Sequence, residues 1–341
     1  MHSLKNYEVY RSNDGTVSKY IHEDGSETSI KISKSVQSVL NPITKQIDEF
    51  HSERNKYSIF ISSSVGCHLK CSFCHLTLKK AKYDKLTEEQ IFNIKDALDE
   101  YITFNTDIKA KYVKLSWMGM GDACNKSDIV YNVTLKILDY IFENNYAIGL
   151  DGVDLSTVMP KMKNKDWISN FHKLENELKK YTINPFYKMD NVEYTNNEYS
   201  HKNIFRLFYS IGSPIQELRD NIIPHSTTLS EAVELLNEYQ LNGEYSVILH
   251  HVLVDGLNDT QDELLSLVNF VNTNFKNNEL RLLRYNTCSM PNAYKESTTI
   301  YNQIKYLSDN INLIKVQVSC GSEVQSACGQ FIVREFIRLK K

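Results

Sequence analysis

The chain has 341 residues, of which 41% are hydrophobic and 24% charged, enough for one large α/β barrel or two ordinary domains and unlike a disordered or membrane-embedded chain. Lys plus Arg (39) nearly balances Asp plus Glu (42), which excludes the strongly basic body of a sequence-independent nucleic-acid binder and leaves room only for local basic patches. No window approaches the about 18 apolar residues of a membrane span, and the first twenty residues are polar, so a cytoplasmic location is expected. Seven cysteines in that compartment point to metal or redox chemistry rather than to a disulfide framework.

Residues 1–55 read as a small β-rich accessory segment. Strands are expected at Tyr7–Tyr10 and Thr16–Ile21 around the turn Asn13-Asp14-Gly15, with a second turn at Asp24-Gly25. From Tyr57 the pattern alternates. Strands are expected at Tyr57–Ser62, Tyr112–Trp117, Ile148–Leu155, Ile204–Ser210, Ser246–Val254 and Leu280–Tyr285. Helices are expected at Glu88–Tyr101, Ser127–Asn144, Trp167–Lys180, Leu229–Leu241, Gln261–Asn272 and Thr299–Asp309. Thr87-Glu88-Glu89-Gln90 opens the first helix as a capping box. Six βα units in series predict parallel strands with right-handed crossovers, and no Gly-rich dinucleotide turn follows a strand. The expected fold is therefore α/β, a partial (β/α)6 barrel at residues 56–318. Val318 and its neighbours would close one edge, an insertion would lie near 161–202, and a separate C-terminal segment would occupy 319–341.

Immediately after the first barrel strand comes Ser64-Val65-Gly66-Cys67-His68-Leu69-Lys70-Cys71-Ser72-Phe73-Cys74. Three thiolates in a C-x3-C-x2-C loop can hold three irons of a [4Fe–4S] cubane. The fourth iron then stays open for the amino and carboxylate groups of S-adenosyl-L-methionine (SAM). A structural zinc site is the alternative; it would need a fourth ligand, for which His68 or His75 would have to serve. The loop's place at the C-terminal end of a strand, where parallel-barrel sites gather, favours the cluster.

Further motifs follow in order: Arg11-Ser12-Asn13-Asp14-Gly15-Thr16, Ser62-Ser63-Ser64-Val65-Gly66-Cys67, Met118-Gly119-Met120-Gly121-Asp122, Leu155-Ser156-Thr157, Ser210-Ile211, Glu217-Leu218-Arg219-Asp220, Val254-Asp255-Gly256-Leu257-Asn258-Asp259, Leu283-Arg284-Tyr285-Asn286 and Ser326-Ala327-Cys328-Gly329-Gln330. Together they resemble the radical SAM adenine methyltransferases that act on ribosomal and transfer RNA, including the adenine C2 methylase and the C8 methylase of antibiotic resistance. The resemblance implies a radical SAM partial barrel in which Cys67, Cys71 and Cys74 bind the cluster. Gly121, Asp122, Ser156, Ser210 and Asn286 would contact SAM, and Glu27 falls at a candidate proton acceptor. Cys328 would carry a methyl group from one SAM. A radical made from a second SAM would activate that S-methyl group for addition to an adenine carbon, leaving a protein–RNA thioether to be resolved. The implied partners are an RNA substrate and an electron donor such as a flavodoxin; a monomer is expected.

The sequence departs from that pattern at three places. Phe60 stands where the family has its resolving cysteine, with Cys320 and Cys124 as candidate substitutes. Gly212 replaces a His of the SAM-contacting loop, and the family's N-terminal RNA-binding domain has no counterpart in the chain. Lys79, Lys80, Lys82 and Lys85 are candidates for phosphate contact. Two other readings stay open: Cys-methylene chemistry on a nucleotide, small molecule or peptide, and a noncatalytic, metal-stabilised RNA-binding protein.

Overall fold

The computed structural model describes residues 7–33, 36–40, 47–51, 56–106, 110, 112–182, 204–241, 244–287 and 293–317. Strands β1 (Tyr7–Arg11) and β2 (Val17–His22) form the expected first hairpin. Its turn is tied by the Asp14 carboxylate, which accepts bonds from the Thr16 N–H and from the Ser12 and Thr16 hydroxyls. The sequence reading missed β3 (Glu27–Ser33), which pairs antiparallel with β2 and with β6 (Lys56–Phe60). A hairpin of β4 (Val36–Leu40) and β5 (Ile47–His51) lies between them in sequence. The N-terminal strands thus continue the main sheet.

Past β6, the cysteine loop is closed at its base by the short antiparallel pair β7 (Ser64–Val65) and β8 (Asp84–Lys85), and it contains α1 (His75–Leu78). The chain then runs α2 (Glu88–Phe92), α3 (Ile94–Phe104), β9 (Tyr112–Trp117), α4 (Ser127–Glu143), β10 (Gly149–Thr157), α5 (Asp166–Leu178), β11 (Phe205–Ser210), α6 (Gln216–Ile222), α7 (Leu229–Gln240), β12 (Val247–Leu253), α8 (Gln261–Asn274), β13 (Leu280–Arg284), α9 (Ile300–Asn310) and β14 (Ile314–Gln317). The helix expected at Glu88–Tyr101 is broken at Asn93, and both halves keep an apolar residue, Ile91 and Ile94, in the core. Thr87 and Gln90 do make the reciprocal capping box.

The ten-stranded sheet has the order β1-β2-β3-β6-β9-β10-β11-β12-β13-β14, and all neighbours from β6 onward are parallel. Sequence order equals spatial order, so right-handed crossovers put every helix on one face, as in a barrel wall; a doubly wound sheet would reverse its order. The edge strand is β14, just before the expected Val318. Residues 318–341 and the second part of the expected insertion, 183–202, lie outside the described residues. Among the described residues no helix is long and apolar enough to cross a membrane.

The two faces of this sheet differ in chemistry. One carries Ile59, Leu115, Val153, Leu207, Leu249 and Leu282, all buried in a core shared with the helices. The other, in register across the strands, carries Phe60, Ser116, Asp154 and Arg206, then Ser156 and Phe208, then Ser210, His250 and Arg281. Parallel strands covered on both faces by apolar layers read as continuous hydrophobic runs; these alternate, because the inner wall of the open barrel is polar.

Candidate active site

The site is built where β6 and β9 end. Two small-residue loops interlock there, Ser62-Ser63-Ser64 from the first strand and Gly119-Met120-Gly121 from the second. The Gly119 N–H donates to the Ile61 carbonyl at 3.0 Å, the Ser63 N–H to the Met120 carbonyl at 2.8 Å, and the Met120 N–H to Ser62 Oγ at 3.1 Å. The Gly66 N–H meets Met120 Sδ at 3.1 Å. A Cβ at Gly119 would stand 2.5 Å from Ser62 Oγ, and one at Gly121 would stand 2.3 Å from Ser63 Oγ. Gly121 also has φ +93°, a region that L side chains avoid.

That close approach aims backbone donors at the cysteines. The backbone N–H groups of Leu69 and Gly121 lie near the Cys67 sulfur and those of Leu76 and Thr77 in α1 near Cys74, each favouring the thiolate. The loop is pinned from three sides. Ser72 N–H donates to the Ile222 carbonyl at 2.8 Å, Tyr285 Oη to the Phe73 carbonyl at 3.0 Å, and His68 bonds Asn125 at 2.9 Å. Residues 212 positions apart therefore meet at the loop.

Burial pushes all three thiols up, Cys67 to about 12, and the negative groups around Cys71 push it further. Such thiols become thiolates only with a positive partner, and a bound metal supplies one. Three half-buried sulfurs, backbone N–H groups near two of them, and no disulfide among them are the donor set an iron–sulfur cluster needs. Among the described residues no three His, Cys, Asp or Glu side chains close around a single metal ion. A cubane spreads its thiolates over separate irons and does not require that closure. His75, a candidate fourth zinc ligand, is buried and pushed down to about 4 by burial and by Lys79; its ring lies beside the Asn286 backbone.

The other expected contacts gather at the same end of the sheet. Ser156, Ser210 and Asn286 end or follow β10, β11 and β13, and Glu27 arrives there because β3 runs antiparallel to β6. Asp122 is occupied within the protein. Its carboxylate accepts bonds from the Thr157 hydroxyl (3.0 Å) and from the N–H groups of Cys124 (3.0 Å) and Val158 (2.9 Å). Burial raises it to about 6 against those bonds. Asp122 thus clamps the end of β10 to the loop after β9. Glu27 is fully buried in an ion pair with Lys19 at 2.7 Å, and its carbonyl accepts the Ser62 hydroxyl at 2.7 Å. Lys19 went unnoticed in the sequence because a charge inside a strand reads as a solvated face.

Phe60 faces the polar inner wall, with Lys31 5.3 Å above its ring. Cys124 is in the apolar core beside Thr157, directed away from that wall. Cys328 and Cys320 lie outside the described residues. Gly212 has φ +73°, and a Cβ there would stand 2.5 Å from Ile223 Cδ1, so a side chain at this position would be strained.

No protein-family model matches the chain. It is 25% identical over 282 residues to a probable dual-specificity RNA methyltransferase RlmN of Aquifex aeolicus, covering 82% of this chain and 70% of that protein. It is 27% identical over 326 residues to the dual-specificity RNA methyltransferase RlmN of Pelobacter propionicus, covering 93% and 74%. Among solved structures, a radical SAM methyltransferase from Sphaerobacter thermophilus superposes with a TM-score of 0.63 at 18% identity, covering 96% of this chain and 81% of that one. The resemblance carried by the motifs, to the radical SAM RNA methyltransferases, therefore holds in sequence across most of the chain and in the fold.

Proposed function

We propose that the chain is a radical SAM methyltransferase that methylates an adenine carbon in RNA, with Cys67, Cys71 and Cys74 as ligands of a [4Fe–4S] cluster. The observation that carries this reading is the interlock of Ser62–Ser64 with Gly119–Gly121, which sets the cysteine loop at the C-terminal end of β6. When bound, the cluster and SAM supply the carbon radical that an electron-poor ring carbon needs, since ordinary methyl transfer fails there.

The chain's own residues hold and shield. Gly121 leaves its backbone open to SAM beside Cys67, and Ser156, Ser210 and Asn286 present polar groups from three neighbouring strand ends. Asp122 keeps the β9 and β10 loops at fixed spacing; with its oxygens so engaged, the SAM ammonium falls to backbone carbonyls nearby. Glu27 can accept a proton only if Lys19 yields it. Exposed Lys80, Lys82 and Lys85 rim the cysteine loop, where an RNA phosphate backbone would pass and binding would weaken with salt. The target adenine must be unpaired or flipped to reach this wall. A flavodoxin-class protein would deliver the electron.

Cys328, in Ala327-Cys328-Gly329-Gln330, is assigned as methyl carrier on its motif. Phe60 offers no thiol and Cys124 is buried in the core, so of the two substitutes named from the sequence Cys320 is the one proposed to resolve the adduct. The test is mass spectrometry of RNA incubated with reconstituted protein, SAM and reductant. A methyl increment on adenine, abolished by Cys328→Ala, is expected. Undiminished product from Cys328→Ala would remove the methyl-carrier mechanism, and methylation of a free nucleotide or peptide alone would remove the RNA substrate.

A further inference from the structure

Tyr83, in the segment that returns from the cysteine loop, is one of the few large hydrophobic side chains left exposed among the described residues, with 39% of its surface open. Its place is fixed by backbone. The β7–β8 pair sets Ser64 opposite Lys85 and Val65 opposite Asp84, which brings Gly66 against the Lys82–Tyr83 backbone. A Cβ at Gly66 would stand 2.2 Å from the Lys82 carbonyl oxygen and 3.4 Å from Tyr83 Cα, so only a glycine admits that approach. Cys67 follows Gly66 directly.

The tyrosine ring is backed by His68. Their centroids lie 5.0 Å apart, with the planes tilted by 57°. The Asn125 amide donates to His68 Nε2 at 2.9 Å, which holds the imidazole to the loop after β9. Lys82 precedes Tyr83, Lys80 and Lys85 lie within three residues of it, and all three are exposed. Asp84 is the one acid in the stretch 79–85, and its carboxylate turns back to accept the Lys85 N–H at 2.8 Å. An exposed ring among lysines suits single-stranded RNA: a base stacks on the ring while its phosphates meet the ammonium groups. An acidic protein would answer the lysines but offers no π face at the spacing of its charges, as an unpaired nucleotide does.

We propose that Tyr83, backed by His68, is a stacking platform for an unpaired RNA base next to the target adenine, and so a substrate-binding residue at the rim of the cysteine loop. The proposal rests on the RNA reading above. An adenine drawn out of a helix leaves its neighbour without a stacking partner, and a fixed ring at the rim replaces that partner.

The test is equilibrium binding of a fluorescein-labelled single-stranded oligoadenylate to the full chain, reconstituted anaerobically, over a range of salt concentrations. Tyr83→Ala should bind about tenfold more weakly, the loss expected for one stacked base, with the salt dependence of the parent. Tyr83→Phe, which keeps the ring, should stay within about twofold. Lys82→Ala should instead lower the slope of log affinity against log salt by about 0.7, the single-strand value for one phosphate. Parent-like binding by Tyr83→Ala would overturn the platform, as would Tyr83→Phe binding as weakly as Tyr83→Ala. A reduced salt slope in Tyr83→Ala would also overturn it, since a collapsed loop would then explain the loss. If Tyr83→Ala does not fold, Tyr83→Leu decides: it keeps apolar bulk without a π face, so a tenfold loss supports the platform and parent-like binding overturns it. A parent that binds transfer RNA but not the single-stranded probe would overturn the platform, whereas one that binds neither would refute the RNA reading itself.

Discussion

Along the inner wall of the sheet, in the half nearer the strands' N-terminal ends, charges are matched within the protein. Asp154 takes bonds from Lys114 and from Arg206 (2.5 Å), and Lys56 meets Asp151 at 2.9 Å. Burial would raise Asp154, but its two cations hold it below the ordinary carboxylate range. At the C-terminal ends Lys19 and Glu27 are paired in the same way, but the cysteine loop beside them is not matched. Three thiols are pushed up by burial. The lower half pairs its charges as it folds, whereas the cysteine loop of the upper half is left with raised thiols, which a bound cluster would complete on the proposed reading.

The contrast can be broken by separating stability from metal binding. Asp154→Asn leaves Lys114 and Arg206 buried and facing each other, so urea unfolding should show a loss of about 3–5 kcal/mol. The folded fraction should still bind its full complement of iron. A loss below 1 kcal/mol would mean that the lower layer is solvated and not a matched network. Gly121→Ala should act on both properties, since its methyl collides with Ser63 and its φ is unfavourable. A destabilisation of about 2 kcal/mol with severalfold weaker iron retention is expected; parent-like iron content would show that the interlock does not aim the cysteine loop.

The smallest effect concerns the outer helical layer and serves as a control. Glu175 in α5 is pushed up to about 7 by burial, with Lys179 opposing and Glu244 adding. A raised carboxyl binds its proton more tightly in the folded state. Its stabilising contribution is therefore present below about pH 4 and lost as pH rises through 7. Glu175→Gln should become more stable than the parent by about 1 kcal/mol as pH rises over that window, after allowing for partial exposure. Thermal melts at pH 5 and 8 would show it, and a gap independent of pH would contradict the burial of this carboxyl.

Much of the scaffold was legible in the sequence, because apolar strands and amphipathic helices leave strong periods and the capping residues mark their starts. The break at Asn93 was not, since a single residue of altered backbone hardly disturbs the helical pattern. β3 went unread although Ser29, Ile30, Lys31 and Ile32 alternate as a half-buried strand should, a period-2 signal present in the sequence. The cysteine spacing identified the cluster candidates directly. The engagement of Asp122 by Thr157 and Val158, the Lys19–Glu27 pair and the burial of Arg219 depend on contacts between distant segments, which no local pattern encodes.

The central claim, that the cysteine triplet holds a catalytic cluster, is tested most directly by iron and sulfide analysis of anaerobically reconstituted protein, with an assay for 5′-deoxyadenosine after reduction with SAM. The expected result is about four irons per chain and reductive cleavage of SAM, with both lost in Cys71→Ala while the melting of the metal-free protein is unchanged within about 1 kcal/mol. A colourless protein that holds one zinc and leaves SAM intact would contradict it.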